Sequence, residues 1–463
     1  MNMEQQKAAT IPSASVDVIE PGSRSQRSDY ICKIGQDLTI DQDILGRYCI
    51  RDLDPIVDDL VIVAGAVAFA DRVVARRPSI AWRRNLQLAV PVHDPERWCD
   101  PELYRLLIGT LDHVTGDNWT LTFKRQKHHT KITPQAHLPL QSDRSLVMPY
   151  SDGLDSFAVA GLVAARHPNI PLVLVTTGNR RNRAIDDMNC ELRKLMYRVA
   201  IPFRLATRGG FVRHREPSYR SRAFVFGVMA GIAAHLLNAE NIYIAESGQG
   251  SLGPWLSPVG NEAPDVRMHP SFTTRMGALL NRILGISVNH IHTQLWKTKG
   301  ETLSELAQLG LADGWWLTSS CARDQRYVSL DNKRVQCGVC AGCLLRRQSL
   351  HAAGLRSEAD KYLWSDLSAP SLAQAVSSRQ TAANDERQAL CAVLEMQQFA
   401  DISSKTNDIR IAAEKLSPML NQGSDQIEAK LSHLVKTHAT EWMRFCSALG
   451  TQSFINQWLG VLQ

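Results

Sequence analysis

The spacing of apolar and polar residues divides the chain into stretches of different character. From Asp58 to Arg76 apolar residues recur at helical spacing and stop before Pro78. Leu86, Leu88, Val90 and Val92 alternate with Asn85, Gln87 and Ala89, the period of a half-buried strand. Pro101 to Asp112 predicts a helix, and Trp119, Leu121 and Phe123 alternating with Thr120, Thr122 and Lys124 predict a second strand. Residues 29–140 are therefore expected to form a small α+β accessory domain without a catalytic signature, either positioning a substrate or partner or simply extending the structure. Residues 1–28, rich in Ser, Gln and Pro, are expected to be a disordered leader.

From Ser145 the pattern changes. Leu146 to Tyr150 and Pro171 to Thr176 are apolar runs, with shorter ones at Pro202 to Ala206 and Ile242 to Ala245. Helix-like stretches lie between them at Asp155 to Arg166, Arg183 to Val199 and Arg222 to Leu237. Runs without alternation suit strands covered on both faces, so residues 141–355 are expected to be an α/β domain around a parallel sheet. Ser371 to Ala400, Asn407 to Leu420 and Asp425 to Leu449 predict helices. Residues 356–463 are thus expected to form a helical module, docked on the preceding domain or, the favoured reading, gripping a partner.

Composition narrows the class. A chain of 463 residues is expected to hold two or three domains. A net charge of +6 tolerates nucleotides without demanding nucleic acid as a partner. The run Lys124-Arg125-Gln126-Lys127-His128-His129 reads as solvated surface. The longest apolar candidate, Leu60 to Ala70, is too short to span a bilayer, and Met1 to Asp17 lacks the apolar region of a signal peptide, so a cytoplasmic chain is expected.

The chemistry concentrates in Ser151-Asp152-Gly153-Leu154-Asp155-Ser156, between an apolar run and a helical stretch. A strand, a small-residue turn and a helix N-terminus collect free backbone N–H groups and favour an anion. Gly153 permits close approach of an oxyanion, Ser151 and Ser156 can donate hydroxyl hydrogens, and Asp155 suits a Mg²⁺ ligand or a helix cap. A second constellation, Cys321, Cys337, Cys340 and Cys343, has two-residue gaps that let tight turns aim thiolates at one centre; zinc is favoured, with an iron–sulfur cluster as the rival. The other six of the ten cysteines are scattered and read as small apolar packers. Gly248-Gln249-Gly250-Ser251-Leu252-Gly253 fits a dinucleotide fingerprint, but Pro254 and Pro258 follow, and the stretch is read as a Gly/Pro loop over the active site.

The hexapeptide resembles the pyrophosphate loop (PP-loop), S-G-G-x-D-S, of the ATP pyrophosphatase superfamily, with Asp152 in place of the first glycine. Loop and cysteines in this order resemble the 7-cyano-7-deazaguanine (preQ0) synthase family, QueC. Its terminal pattern is matched by Ser320-Cys321 and by Cys337-Gly338-Val339-Cys340-Ala341-Gly342-Cys343-Leu344-Leu345-Arg346, and its T-K-x-E by Thr298-Lys299-Gly300-Glu301. Its tyrosine–proline–aspartate loop has no counterpart. The added regions resemble the larger QatC-type branch found in Qat anti-phage defence cassettes.

The resemblance implies an adenine nucleotide alpha hydrolase-like fold with a PP-loop domain over residues 141–355, a zinc segment at 321–346, and ATP, Mg²⁺ and Zn²⁺ as cofactors. It implies an ATP-dependent ligase that adenylates a deazaguanine carboxylate, 7-carboxy-7-deazaguanine, and passes it to an amine: ammonia, or the N-terminus of a protein partner from the same defence cassette. Ser151, Asp152, Gly153, Leu154, Asp155 and Ser156 would hold the nucleotide's phosphates, Thr176 and Thr177 would edge the adenine pocket, and Lys299 and Arg222 would meet phosphate or carboxylate. Arg213, Arg215 and Arg220 stand in the same basic stretch as Arg222. A non-catalytic ATP-binding scaffold and a tRNA-modifying PP-loop enzyme are the alternatives.

Overall fold

Two parallel sheets, joined through two largely apolar helices packed against each other, frame the molecule. The computed structural model describes residues 11–25, 27–40, 54–127, 145–177, 184–188, 190–201, 203–205, 215–258, 260, 262–323, 328–330, 333–376 and 381–462. The first unit runs β1 (Ser13–Ile19), β2 (Tyr30–Lys33), β3 (Leu38–Ile40), α1 (Pro55–Val73), β4 (Asn85–Val92), α2 (Pro95–Trp98), α3 (Pro101–Thr115) and β5 (Asn118–Arg125). Its sheet has the order β2-β1-β4-β5, with every pairing parallel.

Two expectations are corrected here. The accessory unit is parallel α/β rather than α+β, because α3 intervenes between β4 and β5 and a parallel neighbour needs such a crossover. The expected leader supplies β1, an interior strand in which Val16 and Val18 are buried. Serines at alternate positions on its other face disguised the alternation. Residues 1–10 and 128–144 lie outside the described residues.

The second unit contains β6 (Leu146–Pro149), α4 (Leu154–Arg166), β7 (Leu172–Thr177), α5 (Cys190–Arg193), β8 (Met196–Ile201), β9 (Phe203–Leu205), α6 (Arg222–Leu237), β10 (Asn241–Tyr243), α7 (Gly248–Leu256), α8 (Pro270–Leu284), β11 (Asn289–Ile291) and α9 (Lys299–Gln308). Its parallel sheet has the order β11-β10-β6-β7-β8. The helix expected over 183–199 is instead the short α5 followed by β8, which pairs with β7 from Met196 to Ile201. Ile185, Met188, Leu192, Met196 and Val199 mimic helical spacing, yet hydrogen bonding to β7 claims the last two. α7 replaces the expected Gly/Pro loop: Pro254 forfeits only its bond to Gly250, a glycine that tolerates the ring.

α6 is buried along almost its whole length, because helices and sheets surround it. One apolar cluster runs from Val16 through Phe69 and Phe224 to Val147 and Val175, so the two units share a core. Burying a side chain such as Phe224 contributes about 1.5–3 kcal/mol. On the opposite sheet face α4 and α9 pack through Phe157, Leu162, Leu303 and Leu306.

Beyond the second sheet come the ribbon β12 (Ser329–Leu330) and β13 (Lys333–Arg334), then α10 (Ala341–Ala352), α11 (Ala383–Asp401), α12 (Thr406–Leu420), α13 (Ser424–Leu449) and α14 (Phe454–Leu462). The helical module is docked: the hydroxyl of Thr298 donates to Glu441 of α13 at 2.7 Å, and the amide of Gln249 donates to Nδ1 of His438 at 2.7 Å. No helix among the described residues is long and apolar enough to cross a membrane.

Candidate anion site and metal centre

Chain order reverses at β6: β7 and β8 lie to one side, β10 and β11 to the other. Such a switch point opens a crevice beyond the carboxyl ends of the strands, because the following segments diverge in opposite directions. A cavity of about 390 Å³ occupies that place, lined by Pro149 and Ser151 after β6 and by Ala245 and Glu246 after β10. Residues from the opening turns of four helices also face it: Gly153, Asp155 and Ser156 at α4, Arg222 and Phe226 at α6, Gly250 at α7 and Gly342 at α10. First-turn N–H groups have no intrahelical partner, so four such ends bias the cavity toward anions.

The hexapeptide is built for that role only in part. Gly153 begins α4 without a side-chain cap, leaving the helix end open. Ser151 and Ser156 join their hydroxyls at 2.8 Å, and Gly153 N donates to Ser151 Oγ at 3.3 Å. Leu154 is buried in the core rather than facing the cavity. Asp152 also faces elsewhere: its carboxylate meets Arg198 at 3.4 Å and its carbonyl accepts from Ser319 N at 2.7 Å. Thr176 and Thr177 end β7 but do not line the cavity.

Asp155 does not cap its helix. Its Oδ1 accepts from Ser247 Oγ at 2.9 Å and its Oδ2 pairs with Lys299 Nζ at 2.6 Å. Lys299 is buried, and its backbone N donates to Gln249 at 2.7 Å. The matched T-K-x-E segment is a capping box in which Thr298 and Glu301 satisfy each other's backbone N–H, so its first task is to start α9 and seat Lys299.

Arg222 projects into the cavity with its guanidinium 5.3 Å from the Phe226 ring centroid. Among the described residues no carboxylate forms an ion pair with it; the residue keeps solvent exposure, and desolvation within the cavity lowers its pKa, so an incoming anion would find it open. Arg220 is diverted to Glu262 and Asp265, Arg215 lies on the surface, and Arg213 is outside the described residues.

Sequence reasoning missed Glu246, Asp265 and Arg267, all of which line the cavity. Burial, reinforced by the charge of Asp155, pushes the Glu246 carboxyl well above the usual range and favours its protonated form. Burial is the largest influence on Asp265 and opposes its ionisation, but the charge and hydrogen bonds of Arg267, together with the charge of Arg220, outweigh it and hold the carboxyl below its ordinary range. These residues sit in loops without a local motif; position after an apolar strand was the only signal for Glu246.

The sulfurs of Cys321, Cys337, Cys340 and Cys343 lie within 4.8 Å of one another. Cys337 and Cys343 are 3.7 Å apart, near the roughly 3.8 Å edge of a tetrahedron with metal–sulfur bonds of about 2.3 Å. Backbone N–H groups of Cys337 and Cys340 point at the sulfurs of Cys321 and Cys337, each at 3.3 Å. The donor set and its spread fit one tetrahedral ion such as zinc; a multi-iron cluster needs room for its own iron and sulfide atoms between the thiolates. The knot adjoins the cavity: a Cβ on Gly342 would strike the Ser320 carbonyl oxygen, and Ser320 lines the wall. Arg346 ties it further, donating to Thr318 Oγ1 at 2.7 Å and Asp360 Oδ1 at 2.9 Å.

Neither a protein-family model nor a curated protein matches the chain.

Proposed function

We propose that the cavity binds the polyphosphate of ATP and that the chain is a PP-loop, QueC-like ligase acting on a deazaguanine carboxylate. One observation carries this reading: the cavity at the strand-order reversal combines the opening turns of four helices with an arginine that forms no ion pair with a carboxylate among the described residues. The Asp-for-Gly change fits it as well, since Asp152 points its charge at Arg198 and not into the cavity.

In the reaction proposed, an oxygen of 7-carboxy-7-deazaguanine attacks the α-phosphorus, the bond to the β-phosphate breaks, and pyrophosphate leaves. The N–H groups of Asp155 and Ser156 and the guanidinium of Arg222 hold the departing charge. An amine then attacks the acyl carbon, loses its proton, and AMP leaves. Asp155 and Glu246 are the residues that would hold Mg²⁺, whose contribution is to offset phosphate charge. Four thiolates fill a tetrahedral zinc shell, so that metal is structural. The acceptor is assigned to a protein partner's N-terminus, with ammonia as the alternative.

The test follows AMP and intact mass after incubation with ATP, Mg²⁺ and 7-carboxy-7-deazaguanine, with ammonium or the neighbouring gene's protein as acceptor. A deazaguanine-sized gain on the protein, lost with Arg222→Ala, supports conjugation; with ammonium, an amide, or a nitrile formed when a second ATP adenylates the amide oxygen and that oxygen leaves with AMP, supports the synthase. The scaffold reading has one observation in its favour, the engagement of Asp155 by Lys299, and predicts ATP binding with no AMP in any tube.

A further inference from the structure

We infer that the N-terminal unit, through Asp71 and Trp82, positions the two arginines that face the cavity, Arg222 and Arg267. The inference rests on the anion-binding reading above and extends it to a part of the chain that carries no motif.

Two routes lead from the unit to those arginines. On the first, Asp71 of α1 is fully buried, and its Oδ2 accepts from both the backbone N and the hydroxyl of Ser221, at 2.9 and 2.8 Å. Ser221 immediately precedes Arg222, whose N–H bonds to the carbonyl of Tyr219 at 3.2 Å. Tyr219 stands at φ +43°, a left-handed conformation that a bulky residue holds only when its surroundings impose it. Arg72 of α1 supplies that constraint: its guanidinium lies 5.1 Å from the Tyr219 ring centroid, and its carbonyl accepts from Arg215 and Glu216 at 2.8 and 3.0 Å.

On the second route, Trp82 packs against both Arg76 and Arg220, whose guanidinium carbons lie 4.4 and 4.8 Å from its ring centroid. Arg220 reaches Asp265 at 3.5 Å, and Asp265 grips Arg267 at 2.5 Å. Thus one route fixes the start of α6 and the other fixes the carboxylate that aims Arg267.

The chemistry of the seam argues against mere adhesion. Asp71 is neutralised by Arg84 at 2.6 Å, which also pairs with Asp117 at 2.7 Å, while Arg76 meets Asp117 at 2.6 Å. These charges all belong to the N-terminal unit, where burying them carries a desolvation penalty that apolar residues of equal volume would avoid. What apolar residues cannot do is accept the N–H and O–H of Ser221 in one fixed direction.

The experiment measures binding of inorganic pyrophosphate to the full chain by calorimetry, with thermal unfolding in parallel. Asp71→Asn and Trp82→Leu are expected to weaken binding about tenfold, equivalent to about 1.4 kcal/mol. Where Asp71→Asn fails to fold, Ser221→Ala, which leaves every guanidinium paired, reads the same route and is expected to weaken binding severalfold. Arg282→Ala removes an exposed ion pair to Asp100 across the same two units and is expected to leave affinity unchanged. In an Arg222→Ala background the effect of Asp71→Asn should shrink toward nothing, because a residue acting through another cannot add to its loss. Lowered stability with wild-type affinity in both variants would make the seam adhesive and overturn the inference. If the wild-type chain itself ignores pyrophosphate, the anion-site reading fails and takes the inference with it.

Discussion

The ammonium of Lys299 lies 2.6 Å from Oδ2 of Asp155, joining the first turns of α9 and α4 at the cavity wall. The pair is mostly hidden from water, with side-chain exposures of 6% and 13%. Removing one partner would leave the other charge uncompensated beside Glu246. Lys299→Met is therefore expected to cost about 3–5 kcal/mol in urea unfolding. The double variant Lys299→Met/Asp155→Leu should recover most of that loss, since an apolar pair carries no desolvation penalty. A single-variant cost below about 1 kcal/mol, the value of an exposed pair, would count against this assignment.

The metal centre makes a separable prediction. Purified protein should carry one zinc per chain by elemental analysis, without the visible absorption of an iron–sulfur cluster. Cys337→Ser should lose the metal and melt earlier. Because Ser319 bonds to Asp152 and Ser320 lines the cavity, the same variant should also weaken pyrophosphate binding. Metal loss with unchanged anion affinity would show that the knot does not support the wall.

What could be read from the chain beforehand follows a physical division. Leu146 to Tyr150 and Pro171 to Thr176 were legible as strands because a parallel strand buried on both faces needs a continuous apolar run. The cysteines were legible because metal ligation demands fixed spacing in a tight turn. By contrast, β1 carries serines where its sheet is partly covered, and the apolar spacing from Ile185 to Val199 serves a helix or a strand equally well. Lys299 was singled out by its motif, but its ion pair with Asp155 exists only in the fold. Glu246 and Arg267 reach the cavity from loops whose course tertiary packing decides.

The glycines that fit a dinucleotide fingerprint in spacing alone have a packing explanation with a measurable consequence. A Cβ on Gly248 would run into the carbonyl oxygen of Leu295 and the side chain of Leu434. In a free helix Gly→Ala gains about 1 kcal/mol, but less in the first turn, where α7 places this residue. Backbone atoms cannot rotate aside, and overpacking of this kind costs about 1–3 kcal/mol. Gly248→Ala should therefore destabilise by about 1–2 kcal/mol in denaturant unfolding, the balance of those effects. A stabilised variant would mean that α7 shifts freely against the segment at Leu295 and against α13.

Glu441 offers a test of how the helical module docks. Burial, with the charge of Glu301 nearby, raises its carboxyl from 4.5 to about 7, despite the hydrogen bonds from Thr298 and Gln348. Between those values the folded chain holds a proton that the unfolded chain has released. Its contribution is thus complete below pH 4.5 and is lost as pH rises through 7, by about 3 kcal/mol in all. Its neighbour in the network, His438, behaves oppositely: burial lowers it to about 4, so its contribution is present above 6.5 and fades as pH falls toward 4. Buried histidines elsewhere, His113, His269 and His290, are likewise held near 4 and would mask Glu441 in a simple acid titration. Glu441→Gln isolates it, because every histidine effect cancels in the difference between the two proteins. The stability of wild type relative to this variant should decline steadily from pH 4.5 to pH 8. A difference independent of pH would mean that water reaches the carboxylate and that α13 docks more loosely on Thr298 than its 2.7 Å bond implies.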